Sequence, residues 1–271
     1  MKFSIITVNL NNKLGLQKTL DSVICQTWKG YEWIVIDGGS TDGSKELIEQ
    51  YQQYFAYWCS EPDKGIYNAM NKGVSHAIND YLLFLNSGDC LHNEDVLAKI
   101  NSLNTDVDVL TGISVSQETG KPMKVLHSDI LRQLFYDSLN HQATFIKRSL
   151  FERHKYNEDN KIVSDWEFFI QTILIDGSTF EYSDIVVADF DISGISNQPK
   201  WNELQKLERK QIIDKYFSPY IQKDLSHYFE ICSSTYYKNI RFLYDNSKTL
   251  SSIFRKINSF FYRMIHILGY V

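Results

Sequence analysis

Residues 81–91 read Tyr-Leu-Leu-Phe-Leu-Asn-Ser-Gly-Asp-Cys-Leu, and this stretch decides the fold. The apolar run at 82–85 predicts a strand that is buried on both faces, as in a parallel sheet. The polar residues 86–88 end that strand and place Asp89 at its carboxyl end. Because ligands bind at this edge of open α/β sheets, Asp89 is a candidate for holding a divalent cation against a phosphate. The alternative is an ordinary turn with a solvated aspartate, since Asn, Gly and Asp are common in turns.

Strand and helix patterns alternate four times in the first 90 residues. Strands are predicted at 3–8, 32–36, 55–59 and 81–85, and helices between them at 16–24, 43–52 and 66–77. This alternation is typical of a parallel sheet with right-handed crossovers. After residue 92 the pattern loosens, with helices expected near 93–101, 150–154, 165–174 and 201–216, and strands near 107–115 and 185–190. The chain is therefore expected to be α/β, with a Rossmann-like, mainly parallel sheet flanked by helices.

Composition favours a packed protein without disulfides or metal clusters. Of the 271 residues, 43% are hydrophobic and 23% charged, which is enough for a core. The four cysteines form no CxxC pair, which argues against a zinc site and fits a reducing compartment. No run of 18 apolar residues occurs and the apolar N-terminal run is too short for a signal peptide, so a cytoplasmic location is expected.

The charge is distributed unevenly. The net charge is −5, but residues 238–271 contain six basic residues and one acid. An acidic body disfavours nucleic-acid binding. Apolar residues at helical spacing between 253 and 268 alternate with basic ones, which is typical of a helix on an anionic bilayer surface. Contact with the inner face of the plasma membrane is therefore expected, the alternative being a terminal helix that packs on the domain.

Polar residues also follow the first two predicted strands. Thr7 and Asn9 end the first, and Asp37-Gly-Gly-Ser-Thr-Asp42 follows the second. A carboxylate such as Asp37 can accept a hydrogen bond from a base N–H, and Gly39 lets a ligand approach the backbone closely. The loop lacks the spacing of GxGxxG and Walker A motifs, and helix capping is its other interpretation.

Two later segments carry candidate polar side chains. In Glu61-Pro-Asp-Lys-Gly-Ile-Tyr-Asn-Ala-Met-Asn-Lys-Gly73, two asparagines share a helix face, which indicates a ligand-facing surface, and Lys72 could meet a phosphate. In 164–169, Asp165 and Glu167 flank Trp166, after a His-Gln pair at 141–142. A carboxylate there could deprotonate an acceptor hydroxyl while the indole stacks on a sugar. The alternative places Trp166 in the core behind a capping aspartate.

The order of these motifs resembles the family 2 glycosyltransferases with the GT-A fold, in particular enzymes of bacterial capsule, O-antigen and exopolysaccharide synthesis. The matching runs are 4–9, 34–43, 60–73 and 84–89. The resemblance is strong over 1–92, moderate as far as the segment around Asp165, and negligible beyond about residue 200. It implies a catalytic domain at 1–200, with a nucleotide-binding half at 1–92 and an acceptor half at 93–200, and a helical appendage at 201–271.

The resemblance also implies site roles. The nucleotide-sugar would be held by Thr7, Asn9, Asp37, Gly39, Asp63, Lys72, Asn86 and Ser87. Asp89 would be the last acid of the family's Asp-X-Asp motif and would bind Mn²⁺ or Mg²⁺. Asp165 matches the catalytic base, with Glu167 as the alternative. The chain departs from the family in one respect, because Asn86 or Ser87 replaces the first acid of the motif and predicts weaker metal binding.

These implications predict an inverting, metal-dependent glycosyltransferase. It would move a sugar, most simply from a UDP-sugar, to a glycan or a polyprenyl-diphosphate-linked acceptor. Two alternatives stay open, a nucleotidyltransferase with a similar nucleotide-binding sheet and a catalytically degenerate sugar-nucleotide binding protein.

Overall fold

The computed structural model describes residues 1–123, 129–192, 194, 198–247, 249, 252–253 and 255–259. The chain forms two compact units, Met1–Ile212 and Ile213–Val271. The site residues predicted above all belong to the first unit. The amphipathic helix expected near 253–268 falls largely outside the described residues. In the described part of the chain, no helix has the length and apolar character needed to cross a membrane.

One mixed sheet organises the first unit, and eight strands of it lie in the residues that the structure describes. The strands are β1 (Phe3–Asn9), β2 (Tyr31–Asp37), β3 (Tyr57–Ser60), β4 (Tyr81–Phe84), β5 (Cys90–Leu91), β6 (Val109–Ser116), β7 (Thr144–Lys147) and β8 (Phe180–Phe190). Their order in the sheet is β3-β2-β1-β4-β7-β6-β8-β5. The first four are parallel, which confirms the predicted half-sheet, whereas β7 runs antiparallel to both β4 and β6.

Helices cover the sheet and connect its strands. In the first unit they are α1 (Lys13–Ile24), α2 (Ser44–Tyr51), α3 (Ile66–His76), α4 (Val96–Ser102), α5 (Ile130–Tyr136), α6 (Leu150–Arg153) and α7 (Ser164–Phe169). Helix α8 (Asn202–Tyr216) runs across the boundary between the units, and α9 (Pro219–Ser233) and α10 (Thr235–Asn246) lie in the second unit. The predicted crossover helices are thus present between the parallel strands.

Two sequence expectations change in the structure. Trp166 is 1% exposed, and its indole Nε1 donates to the carbonyl of Leu134 at 2.7 Å, so its ring lies in the core and does not offer a face to a sugar. Strand β8 begins at Phe180, five residues before the predicted start. The polar residues Glu181, Ser183 and Asp184 hid this start, because they interrupt the apolar pattern of a strand, whereas the pairing of residues 180–182 with β6 depends on the tertiary fold.

Gly73 sets the distance between α3 and the sheet. A Cβ at this position would come within 2.4 Å of Cγ2 of Ile6, which is fully buried in β1. We expect Gly73→Val to lower the free energy of unfolding by about 2 kcal/mol or more, because a well-packed core accommodates extra methyl groups poorly. Ser75→Val, at an exposed position of the same helix, should change it by less than about 0.5 kcal/mol. Urea denaturation of both variants measures the difference, and equal midpoints would contradict the packing role.

Candidate active site

The turn after β4 is held against α1 by two side chains of that helix region. The hydroxyl of the buried Thr19 donates to the carbonyl of Asp89 at 2.8 Å and accepts from the N–H of Gly88 at 3.0 Å. Asn12 donates to the carbonyl of Ser87 at 3.0 Å. Gly88 has φ +109°, a conformation that favours glycine. The backbone of the turn is therefore fixed, and it sets the position of the side chains at 86 and 89.

Asp89 is a buried carboxylate beside a second carboxylate. It is 5% exposed, and Oδ1 accepts from the backbone N–H of Asp191 at 2.9 Å. The side chain of Asp191 lies so close to Gly88 that a Cβ there would be 2.6 Å from its Oδ2. Burial raises the pKa of Asp89 to about 7, and the charge of Asp191 acts in the same direction, against the opposing effects of the Asp191 N–H and of His141. A positive charge at this point would stabilise the ionised form.

Asn86 has an amide oxygen without a partner. Its Nδ2 lies 3.1 Å from Nε2 of His141, while Oδ1 is buried and makes no hydrogen bond. Buried polar atoms are rarely left unpaired, and Asn86 and Asp89 belong to one turn, in which the N–H of Asp89 donates to the carbonyl of Asn86 at 3.0 Å. Amide and carboxylate oxygens are ligands that suit Mg²⁺ or Mn²⁺. Among the described residues, no group of three or more His, Cys, Asp or Glu side chains could hold a metal. Asn86 and Asp89 thus fit a cation that takes further ligands from a diphosphate.

Asp165 lies on the other side of His141. Its Oδ2 is 3.4 Å from Nδ1 of His141, and its Oδ1 is 2.9 Å from the hydroxyl of Tyr67. Burial alone would raise the pKa of Asp165, but the interactions with His141 and Tyr67 outweigh it, so the pKa is lowered. Burial lowers the pKa of His141, but the contact with Asp165 outweighs this effect, so the pKa of His141 is raised. Asp165 is therefore ionised at neutral pH and can accept a proton.

Glu167 has a different environment, although it is only two residues away. It is 2% exposed, and its Oε2 accepts from the side chains of Asn160 at 2.7 Å and Asn157 at 3.2 Å. These bonds hold the segment before α7. Of the two candidate bases, Asp165 is the one that lies beside His141.

The loop after β2 is organised around Asp37. The carboxylate is fully buried and accepts from Asn9 at 2.7 Å, from Ser60 at 2.7 Å, and from both the N–H and the hydroxyl of Ser40. Burial opposes ionisation of Asp37, but these hydrogen bonds prevail and lower its pKa. Oδ1 of Asn9 is buried and unpartnered. Asp37 therefore orders the loop, and Asn9 offers the unused acceptor at this strand end.

Thr7 does not reach this strand end. It is fully buried, and its hydroxyl accepts from the indole of Trp33 at 3.0 Å. The hydroxyl of Thr7 therefore has a packing partner in the protein, and the role of Thr7 in holding a nucleoside stays a prediction. The strand pattern alone could not reveal the partner, because Trp33 comes from the neighbouring strand β2.

The remaining candidates lie around the loop before α3. Gly39 has φ +82°, and a Cβ there would be 3.1 Å from the nitrogen of Pro62, so the glycine lets two chain segments pack together. Oδ2 of Asp63 lies 2.5 Å from where a Cβ of Gly38 would be, which places this carboxylate at the loop after β2. Lys72 forms an ion pair with Glu61 at 2.8 Å.

The two asparagines of α3 also have protein partners. Asn71 donates to Glu158 at 2.9 Å and to the carbonyl of Tyr156 at 2.8 Å, and Asn68 donates to Glu158 at 2.8 Å. Both asparagines therefore bind the 156–158 segment, and Asn68 also lines the cavity described next, so the ligand-facing surface stays a prediction.

A cavity of about 190 Å³ lies next to this segment. Its walls combine an indole with polar and charged groups, and they include Lys64, Tyr67, Asn68, Glu158, Lys161 and Trp201. The hydroxyl of Tyr67 links this wall to Asp165, as described above. Asp165 does not itself line the cavity, and Tyr67 is the residue that connects the two.

Comparison with known proteins gives matches over most of the first unit. The family described as Glycosyl transferase family 2 matches residues 4–164. The chain is 36% identical over 209 residues to an uncharacterized glycosyltransferase of Mycobacterium tuberculosis (strain ATCC 25618 / H37Rv), which covers 72% of this chain and 76% of the relative. It is 32% identical over 203 residues to a PGL/p-HBAD biosynthesis glycosyltransferase of Mycobacterium bovis (strain BCG / Pasteur 1173P2), covering 72% and 79%.

Solved structures share the fold at lower identity. S. aureus TarS 1–349 matches with a TM-score of 0.62 and 20% identity over 70% of this chain, and the chain spans 60% of that structure. TarS has also been solved in complex with UDP-GlcNAc, with a TM-score of 0.61. The mannosyltransferase PcManGT of Pyrobaculum calidifontis, in complex with GDP-Man and Mn²⁺, matches at a TM-score of 0.55 and 15% identity over 88% of this chain and 82% of its own. These likenesses identify the GT-A fold.

Proposed function

The chain belongs to glycosyl transferase family 2 and is a glycosyltransferase, and we propose that it transfers a sugar from a nucleotide-sugar to an acceptor hydroxyl with inversion, using Mn²⁺ or Mg²⁺. The observation that carries the proposal is the pair of largely buried carboxylates, Asp89 and Asp165, on both of which the charge of His141 acts to lower the pKa. Asp89 suits the binding of a cation at a diphosphate, and Asp165 suits the role of a general base.

Each side chain has a defined task in this reaction. Asp89 and Asn86 would hold the cation, which when bound stabilises the charge on the departing diphosphate. Asp165 accepts the proton of the acceptor hydroxyl as its oxygen forms a bond to the anomeric carbon of the donor. The bond from that carbon to the diphosphate breaks on the opposite face, so the configuration inverts. Asn9 and the loop around Asp37 would receive the nucleoside.

We propose a UDP-sugar as the donor and a glycan or a polyprenyl-diphosphate-linked sugar as the acceptor. TarS binds UDP-GlcNAc and PcManGT binds GDP-Man, so both nucleotides belong in any test. The cavity beside Tyr67 supports an acceptor carrying a sugar ring, because its wall pairs the Trp201 indole with charged and amide side chains. Action at the inner face of the plasma membrane, with residues 201–271 as the attached appendage, remains part of the proposal.

The reaction products test this function. We expect the purified chain, incubated with Mn²⁺ and a panel of UDP- and GDP-sugars, to release the nucleoside diphosphate from one of them. Release of pyrophosphate would instead support a nucleotidyltransferase. The replacement of an acid by Asn86 favours a third function, that of a sugar-nucleotide binding protein without catalytic activity. In that case a donor would bind with no turnover above background.

A further inference from the structure

His141 contacts both Asn86, a candidate metal ligand, and Asp165, the candidate base. Its Nε2 lies 3.1 Å from Nδ2 of Asn86, and its Nδ1 lies 3.4 Å from Oδ2 of Asp165. Because an amide nitrogen can only donate, this placement of the Asn86 amide requires a neutral ring that accepts at Nε2 and carries its proton on Nδ1. That proton faces the carboxylate of Asp165. The imidazole is thus oriented from both sides, as a donor to the proton-accepting residue and an acceptor from the candidate metal ligand.

The fold brings these residues together through strand pairing. β4 and β7 are antiparallel, with Leu83 opposite Phe145. Continued by a few residues, this register places the turn after β4 beside the residues that precede β7, where His141 begins a short 3₁₀ turn that ends at Ala143. The side chain of His141 is 21% exposed and that of Asp165 13%, so the contact is largely shielded from water.

We propose that His141 is a positioning residue with two separate effects. By accepting from Nδ2 of Asn86, it fixes the amide so that Oδ1, the atom left without a partner, is presented to the cation. By contacting Asp165, it holds the carboxylate in place for the acceptor hydroxyl. The structure thereby supports an amide in place of the motif's first acid, because the orientation of the amide is enforced. This inference rests on the proposed function.

Two substitutions separate the two effects. In His141→Asn, the amide can occupy the position of Nδ1 and still donate to Asp165, but it is too short to reach Asn86. In His141→Gln, the longer side chain can place its carbonyl oxygen near the position of Nε2 and accept from Asn86, while the contact with Asp165 is lost. His141→Ala removes both contacts. His154→Asn is the matched control, because His154 forms a similar pair with Asp176 at 2.8 Å.

The two readouts are Mn²⁺ affinity and kcat. Electron paramagnetic resonance of free Mn²⁺, with UDP present and no acceptor, gives Kd without turnover. Residues that orient metal ligands typically change affinity by about 10–100-fold. We expect His141→Asn to raise this Kd by about tenfold and to keep kcat at saturating Mn²⁺ within about threefold of the parent protein. His141→Gln should lower kcat by about tenfold or more and keep the Kd for Mn²⁺ within about threefold of the parent value. His141→Ala should show both the raised Kd and the lowered kcat. His154→Asn should change neither Kd nor kcat.

Three results would overturn the inference. In the first, His141→Asn and His141→Gln each keep the Kd for Mn²⁺ and the kcat of the parent protein. In the second, each of these variants shows the weakened Mn²⁺ binding and the lowered kcat expected of His141→Ala. In either case the parent protein still binds Mn²⁺ and releases nucleoside diphosphate, so the proposed function stands. The third is a parent protein that binds no Mn²⁺ in the presence of UDP, which removes the metal from the proposed function and the inference with it. Circular dichroism of every variant confirms that it is folded before Kd and kcat are compared.

Discussion

Asp165→Asn is expected to lower kcat by about 10²-fold or more, with a much smaller change in KM for the donor. The amide keeps the size of the carboxylate and can still accept from Tyr67, but it cannot take a proton from the acceptor hydroxyl. The carboxylate is held ionised, because His141 and Tyr67 lower its pKa in spite of burial. The loss should therefore appear in the chemical step, and it is measured as nucleoside diphosphate release at saturating donor and acceptor.

Glu167→Gln is the matched control for this substitution. Both acids lie in α7 and both are largely buried, but Glu167 accepts from Asn157 and Asn160, away from His141. We expect Glu167→Gln to lower thermal stability while kcat per folded molecule stays within about threefold of the parent value. If Glu167→Gln loses activity and Asp165→Asn keeps it, the assignment of the base is reversed. If neither variant changes kcat, the chain has no carboxylate base in α7.

The first half of the fold follows from local patterns in the sequence. Strands and helices up to β4 are predictable because each carries its own periodicity, and the polar break after Leu85 is enough to place Asp89 at the carboxyl edge of the sheet. Asn9 and Asp37 likewise follow apolar strand patterns, which predict their positions at strand ends. Local periodicity could not place Thr7, whose partner Trp33 belongs to another strand.

The rest of the site depends on contacts between distant segments. His141 meets Asn86 only because β7 runs antiparallel beside β4, and the backbone N–H of Asp191 reaches Asp89 only because it follows β8. The role of Thr19 was not predictable from the sequence, because a threonine on an apolar helix face does not indicate which turn its hydroxyl will bind. These roles come from sheet order, which the spacing of residues along the chain does not specify.

Trp166 illustrates a different limit. An aromatic residue between two acids at a helix start has the same pattern whether it faces a ligand or the core. Burial decides between these readings, and burial depends on α5, which supplies the carbonyl that the indole binds. Lys72 is similar, because its pairing with Glu61 arises from the path of the loop before α3.

Asp89→Asn is expected to abolish Mn²⁺ binding in the presence of UDP and to lower turnover by about 10²-fold or more, while making the metal-free protein more stable. The two effects have one cause, the buried carboxylate. Its pKa is raised to about 7 mainly by burial, so the folded chain resists its ionisation. Asparagine keeps an acceptor for the N–H of Asp191 but carries no charge that needs a cation.

The sign of the stability change follows from proton binding. The ordinary pKa of this carboxyl is 3.8, so between pH 3.8 and about 7 the unfolded chain has released a proton that the folded chain still holds at Asp89. Stability of the parent protein therefore falls as pH rises through this range, by up to about 4 kcal/mol for a shift of this size, and Asp89→Asn escapes the loss. In EDTA, the melting temperature of the variant should exceed that of the parent at pH 8, and the gap should narrow towards pH 5.

Mn²⁺ and UDP should reverse the order of the two proteins. Ligands that bind only the folded state raise its melting temperature, so the parent is expected to gain stability from Mn²⁺ with UDP and the variant to gain little. Differential scanning calorimetry at pH 8, with EDTA or with Mn²⁺ and UDP, measures both differences. A variant that melts below the parent in EDTA, or that is stabilised by Mn²⁺ as strongly as the parent, would show that the buried carboxylate is structural and that the cation binds elsewhere.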